Sequence, residues 1–198
     1  MRKVQNDSKI IIRPTFFVVI ALSLLLLPIK WIAAWIAASA FHELCHYAAI
    51  CLSGCRVFRI QVDLNGAQME TDILSFGREL ICTLAGPLGG FALLLVVKWF
   101  PRLAICGCFQ AFYNLIPIFP LDGGRVVRCV LTYFLKEKQR YTVEKYLEII
   151  VMILFSAMGI YATFVMRMGI VPIIFAAILI IKNRQVKFAC KERPLGVE

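Results

Sequence analysis

The sequence predicts an all-α polytopic membrane protein with six transmembrane helices, a broken fourth helix and a small β-hairpin on the cytoplasmic side. Three observations support this fold class. Of 198 residues, 61% are hydrophobic and only 17% are charged, against roughly 25% charged in an ordinary soluble domain. The mean hydropathy is +0.80, and the apolar residues are grouped into runs of bilayer length. A conventional soluble domain is therefore excluded, because too few charges remain to cover its surface.

The predicted spans lie within a single domain that covers residues 1–198. They run at about 15–29, 31–52, 80–100, 103–135, 146–166 and 170–181. The first and last are short against the ~20 residues that a membrane helix needs, so five spans with a tilted or interfacial end segment is the alternative. Basic residues precede the first span as in a signal peptide, but Pro28 and Lys30 follow it directly, which favours a retained segment.

The basic residues predict the orientation in the membrane. With the N-terminus in the cytoplasm, 18 of the 22 Lys and Arg residues fall on the inner side, and the outer ones are Lys30, Lys98, Arg102 and Arg167. Such a bias is typical of cytoplasmic loops, so we expect both termini in the cytoplasm. The net charge of +10 is then a consequence of topology. No reason remains to expect a nucleic-acid partner.

A β-hairpin is predicted at about residues 57–71, between the second and third spans. Phe58, Ile60 and Val62 alternate with polar residues, as in a half-exposed strand. Asn65-Gly66 follows, which is typical of a type I′ hairpin turn. We expect this hairpin on the cytoplasmic side.

The second span contains the sequence His42-Glu43-Leu44-Cys45-His46, which holds both histidines of the chain. On a helix these histidines share a face, so both imidazoles can bind one Zn²⁺ at about 2.0–2.1 Å, with Glu43 beside the metal's water. Ionisable groups at bilayer depth cost about 2.5–3.5 kcal/mol each, so their presence needs a reason. The pattern predicts a zinc site, with a hydrogen-bonded polar cluster between helices as the alternative.

A catalytic zinc site needs a third protein ligand. No further histidine exists, and the candidate carboxylates are Glu70 in the hairpin, Glu79 at the membrane edge and Asp122 in the fourth span. The expected depth in the membrane favours Asp122. His42 lies about 15 Å from the cytoplasmic end of its span. The helix predicted from 125 to 135 takes up about 17 Å before the same side, so His42 and Asp122 are expected at similar depth.

The fourth span is predicted to break near residues 117–124. Pro117 and Pro120 end the helix, and Gly123 and Gly124 allow the chain to turn closely past a metal. Irregular backbone at this depth is tolerated only where it is buried in protein or lines a wet cavity. A proline kink beside an interfacial aspartate is the alternative interpretation.

Together, the second-span motif and the segment from Asn114 to Gly124 resemble the site-2 protease family of intramembrane zinc metalloproteases. The resemblance implies one Zn²⁺ per chain held by His42, His46 and Asp122, with Glu43 as the catalytic residue that activates the zinc's water. It also implies that Asn114 and Pro117 help to position substrate. The glycines near the site that match family elements are Gly86, Gly90, Gly123 and Gly124.

The chain is most similar to the sporulation stage IV FB type of this family, without the C-terminal CBS domain of many such members. That similarity implies a bacterial cytoplasmic membrane and a membrane-tethered substrate, such as a pro-sigma factor or another membrane-bound regulator. It also implies membrane-embedded inhibitory regulators as partners. The hairpin then either connects two spans or holds an extended substrate by strand addition. Two other functions stay open: a catalytically inactive relative that binds membrane proteins, and a zinc transporter.

Overall fold

The computed structural model describes residues 9–12, 24, 28–63, 66–71, 75–119 and 121–164. The chain divides into two compact units, Met1–Leu115 and Ile116–Glu198. The last predicted span, 170–181, and all of the first except residues 24, 28 and 29 lie outside the described residues. The same holds for Asn65 of the predicted hairpin turn and for Pro120 of the predicted break.

The described residues of the first unit form three strands and three α-helices. The strands are β1 (Lys9–Ile12), β2 (Val57–Asp63) and β3 (Gly66–Thr71). The helices are α1 (Ile29–Leu52), α2 (Phe76–Ala92) and α3 (Pro101–Asn114). A 3₁₀ turn, Leu93–Val96, extends α2. Pro101 starts α3, because a proline at the first helical position loses no hydrogen bond and already has a helical φ.

Helices α1 and α3 run in the same direction. Their contacts advance together along both chains, from the hydrogen bond between Gln110 and Ser39 to the contact of Asn114 with His42, about one turn further on. In the first of these contacts the Gln110 amide nitrogen donates to Oγ of Ser39 at 2.5 Å. Gln110 is buried, so this bond satisfies a polar group that would otherwise be costly. It also fixes the register of the two helices.

Helix α2 runs opposite to α3 and packs closely against it. A Cβ at Gly90 would lie 2.8 Å from the carbonyl oxygen of Gly107 and 2.9 Å from the Cβ of Ala111. Towards the other end of the contact, Gly107 lies against Leu93. Small residues let the backbones approach, as is common where helices associate in membranes. The three helices therefore alternate in direction.

One helical stretch among the described residues is long and apolar enough by itself to cross a bilayer. It is Phe76–Val96, 21 residues long. Helix α1 is longer, at 24 residues, but the polar residues of its histidine motif lower its hydropathy. Large apolar side chains face outward, among them Leu95, which is 81% exposed, and Phe112, which is 64% exposed. The six-span count stays a prediction.

The sheet has the strand order β1-β2-β3. β2 and β3 pair antiparallel, from Asp63 opposite Gly66 to Val57 opposite Thr71. β1 pairs parallel with β2 along its other edge, with Lys9 opposite Arg59. This third strand was not predicted, because parallel pairing joins distant segments and leaves no local turn signal.

The second unit contains helices α4 (Asp122–Phe134) and α5 (Glu137–Phe164). Helix α3 ends at Asn114 and α4 begins at Asp122, whereas the break was predicted near 117–124. The helix resumes at Asp122, which puts a carboxylate in the first turn, where free backbone N–H groups favour negative charge. Gly123 and Gly124 are therefore helical and do not form the turn itself.

Helix α5 begins nine residues before the predicted fifth span, at residue 137 instead of 146. Its first turns carry charged side chains, which hydropathy cannot assign to a membrane span but which are good helix formers. Apolar runs therefore locate the part of a helix that can face lipid, not the whole helix.

Candidate metal centre

Two imidazoles on one face of α1 form the centre of the candidate site. His42 is 4% exposed and His46, one turn further on, is half-buried. Their Nε2 atoms lie 3.1 Å apart. Two nitrogen ligands at about 2.05 Å from a tetrahedral zinc ion are about 3.3 Å apart. The pair therefore has the spacing that zinc requires of two imidazole ligands.

A backbone carbonyl of α2 orients His46. Nδ1 of His46 lies 2.7 Å from the carbonyl oxygen of Cys82. The carbonyl can only accept, so Nδ1–H donates and the lone pair of Nε2 is left for a metal, an arrangement common among zinc-binding histidines. The sequence does not predict this contact, because every residue type carries the same backbone carbonyl.

The missing side chain at Gly86 leaves room beside both imidazoles. A Cβ at this position would lie 2.6 Å from Nε2 of His42 and would also meet Nε2 of His46. Both Nε2 atoms therefore face a space that any side chain at position 86 would fill. This space and the donor set fit a zinc ion. Gly90, also predicted near the site, instead packs against α3.

Asn114 contacts the metal-binding face of His42. Its amide nitrogen lies 3.2 Å from Nε2 of His42, so the amide N–H can donate to the imidazole lone pair. The residue is the last of α3, and the Gln110 contact one turn earlier fixes where that helix end lies. The structure thus places Asn114 at the metal centre, and its predicted role in substrate binding stays a prediction.

Glu43 and Cys45 lie between the two histidines but differ in their surroundings. Glu43 is half-buried and follows His42 directly. The Cys45 side chain packs against α2 at Gly89, where a Cβ would lie 3.0 Å from that of Cys45. Cys45 is therefore a packing residue, as its position on the helix predicts.

Asp122 lies in the second unit, at the start of α4, and is 9% exposed. The preceding turn packs onto this helix start, since a Cβ at Gly124 would lie 2.6 Å from the carbonyl oxygen of Ile118. Gly124 thus makes room for the turn that precedes Asp122. Pro117 is half-buried in the same turn.

By side-chain chemistry, His42, His46 and Asp122 are a possible metal-binding group. The sequence offered two other carboxylates as the third ligand. Glu79 is exposed in the first turn of α2, and Glu70 lies in β3. Two imidazoles and one carboxylate are a ligand set that catalytic zinc sites use.

Part of the chain matches a known protein family, and the whole chain resembles a solved structure. The model of peptidase family M50 matches residues 81–158. The fold is similar to the solved site-2 protease from Methanocaldococcus jannaschii, with a TM-score of 0.62 and 23% identity, over 100% of this chain and 96% of that one. The chain therefore has a site-2 protease-like fold.

The chain is also similar to a zinc metalloprotease of Methanocaldococcus jannaschii. The two are 31% identical over 133 residues, which are 58% of this chain and 39% of the relative. The chain thus spans about two fifths of the length of this curated relative. The first match is to a peptidase family and the second is to a protein named as a zinc metalloprotease.

Proposed function

We propose that this protein is a zinc-dependent intramembrane endopeptidase that cuts a membrane-tethered protein near the cytoplasmic face. The observation that carries the proposal is the imidazole pair, with Nε2 atoms 3.1 Å apart. Two further observations support the proposal: the Cys82 carbonyl orients His46, and Gly86 leaves a space beside both imidazoles. In this proposal Asp122 is the third zinc ligand.

The proposed mechanism uses Glu43 as the proton carrier. When bound, zinc polarises the scissile carbonyl and lowers the pKa of water to about 7. Glu43 accepts the proton of the attacking water and then donates it to the leaving nitrogen. The Asn114 amide, beside His42, is placed to hydrogen-bond the substrate carbonyl as charge develops on its oxygen.

The membrane location of the reaction is supported by the alternating directions of α1, α2 and α3. Successive membrane spans alternate in direction, as these three helices do. The orientation with both termini in the cytoplasm is supported by the distribution of basic residues. In this orientation the strands β2 and β3 face the cytoplasm, and cleavage takes place near that side of a bacterial cytoplasmic membrane.

The substrate is proposed to be a protein with one membrane-spanning segment, such as a pro-sigma factor or another membrane-bound regulator. A transmembrane helix has its carbonyls hydrogen-bonded, so it must be unwound locally before attack. In the described residues one edge of β2 is paired with β1 and the other with β3. An extended substrate that adds to this hairpin would therefore pair with β3.

Metal removal tests the proposed function. The purified protein is reconstituted with a single-span substrate, and cleavage is followed before and after treatment with 1,10-phenanthroline. We expect cleavage to stop as zinc is removed and to return when one equivalent of Zn²⁺ is added, since the zinc supplies the electrophile. The isomer 1,7-phenanthroline, which does not chelate, is the control. Cleavage that survives complete removal of zinc would overturn the proposal.

Asp122→Asn tests the third ligand. The substitution keeps the shape of the side chain but replaces the anionic oxygen, so we expect zinc affinity to fall by more than the roughly 10- to 100-fold typical of changes outside the ligand shell. Zinc content after dialysis against graded chelator gives the affinity. Glu79→Gln, the same chemical change at an exposed site, should bind zinc normally. If Asp122→Asn keeps both metal and activity, the third ligand lies elsewhere.

A further inference from the structure

Arg128 links the turn that precedes Asp122 to helix α5. Its guanidinium carbon lies 4.2 Å from the ring centroid of Phe119, within that turn. Its Nη2 lies 3.3 Å from Oε2 of Glu144 on α5. A planar guanidinium can stack on an aromatic ring and bind a carboxylate at the same time, which an ammonium group cannot do equally well.

The carboxylate that binds the Arg128 guanidinium is itself held by further contacts. Glu144 is only 15% exposed and also forms an ion pair with Arg140, at 3.8 Å. Arg140 in turn donates to Oγ1 of Thr132 at 3.0 Å, and that hydroxyl donates to the carbonyl of Arg128 at 2.7 Å. Isolated surface ion pairs contribute little, but a connected and partly buried set restricts the side chains that form it.

The turn also packs against the first turn of α4. Ile118 is 1% exposed, and its backbone lies against Gly124. The N–H of Leu121 donates to the carbonyl of Ile118 at 2.9 Å. The turn thus contacts α4 at two places, at Gly124 and at the Arg128 guanidinium, which lies against Phe119.

We propose that Arg128 is a positioning residue: anchored by Glu144, it holds the Phe119 turn and so fixes the direction of the Asp122 carboxylate. The zinc part of this inference rests on the proposed role of Asp122 as a ligand. The proposal that Arg128 holds the turn does not rest on that role, because it concerns only contacts within the second unit.

The test uses Arg128→Met, Glu144→Gln and the double variant in the full-length protein. Arg128→Met keeps a long unbranched side chain but removes the charged, planar guanidinium group. Glu144→Gln keeps Arg128 and removes its anchor, so it tests the same contact if the first variant folds poorly. The control is Lys145→Met, which removes an exposed positive charge next to Glu144.

Two readouts separate positioning from general stability. Amide hydrogen exchange in the zinc-free protein should accelerate about tenfold at residues 118–125 and stay unchanged in α1. Zinc affinity, measured by competition with a chelator, should fall about tenfold. The double variant should lose no more than the larger single loss, because both changes break one contact.

The outcomes distinguish this inference from the proposed function. If Asp122→Asn loses zinc while Arg128→Met and Glu144→Gln keep normal affinity, the positioning role is wrong and the ligand role stands. If exchange at 118–125 accelerates without any loss of zinc affinity, Arg128 is only structural and the inference again fails. If Asp122→Asn binds zinc normally, the ligand role fails, and unchanged exchange at 118–125 in both variants would refute the hold on the turn separately.

Discussion

Replacing Glu43 by Gln is expected to lower substrate cleavage by about 10²- to 10⁴-fold, the range that general acid–base catalysis contributes. The amide is nearly isosteric with the carboxylate but cannot accept a proton from water. Because Glu43 is not among the proposed ligands, zinc content should stay at that of the wild type. The measurement is cleavage of a single-span substrate in proteoliposomes, together with metal analysis of the same preparation.

The matched control is Glu137→Gln, at an exposed carboxylate in the first turn of α5. It should cleave at the wild-type rate. Undiminished cleavage by Glu43→Gln would remove Glu43 from the mechanism. Wild-type protein that binds zinc but never cleaves would favour the inactive, membrane-protein-binding relative. Zinc flux into the proteoliposomes that is equal in wild type and variant would favour the transporter.

The local features of the site could be predicted from sequence because each has a short-range cause. Helical periodicity alone places His42 and His46 on one face of α1. Two prolines within four residues predict that α3 cannot continue, although α3 already ends at Asn114 and Asp122 starts the next helix. In each case the residues that produce the feature are neighbours in the chain.

What could not be predicted depends on contacts between distant segments. The carbonyl of Cys82 orients His46 across 36 residues, and any residue type at position 82 would present the same carbonyl. The pairing of β1 with β2 joins Lys9 to Arg59 and likewise leaves no local pattern. Arg128 belongs to the basic excess that the sequence assigns to topology, yet the structure gives it a specific place against Phe119. Charge counts locate such a residue on one side of a membrane but cannot show what it contacts.

Gly86→Ala is expected to remove zinc from the protein even though the added group is a single methyl. Its Cβ would lie 2.6 Å from Nε2 of His42, closer than real Cβ atoms approach. The imidazoles cannot simply retreat, because the Cys82 carbonyl holds His46 and the Cys45 side chain already packs against Gly89. We therefore expect zinc affinity to fall by at least the roughly 10- to 100-fold of changes that misdirect a ligand.

The direction of the stability change makes this prediction specific. Glycine to alanine inside a helix ordinarily stabilises by up to about 1 kcal/mol, and Gly77→Ala, at an open position of the same helix, should do so with zinc affinity unchanged. In Gly86→Ala the steric conflict opposes that gain. The visible spectrum of the Co²⁺-substituted protein reports whether the ligands remain tetrahedral. A normal spectrum with full metal content in Gly86→Ala would show that Nε2 of neither histidine binds metal in the space beside Gly86, and the imidazole pair would then lose its place as the centre of the site.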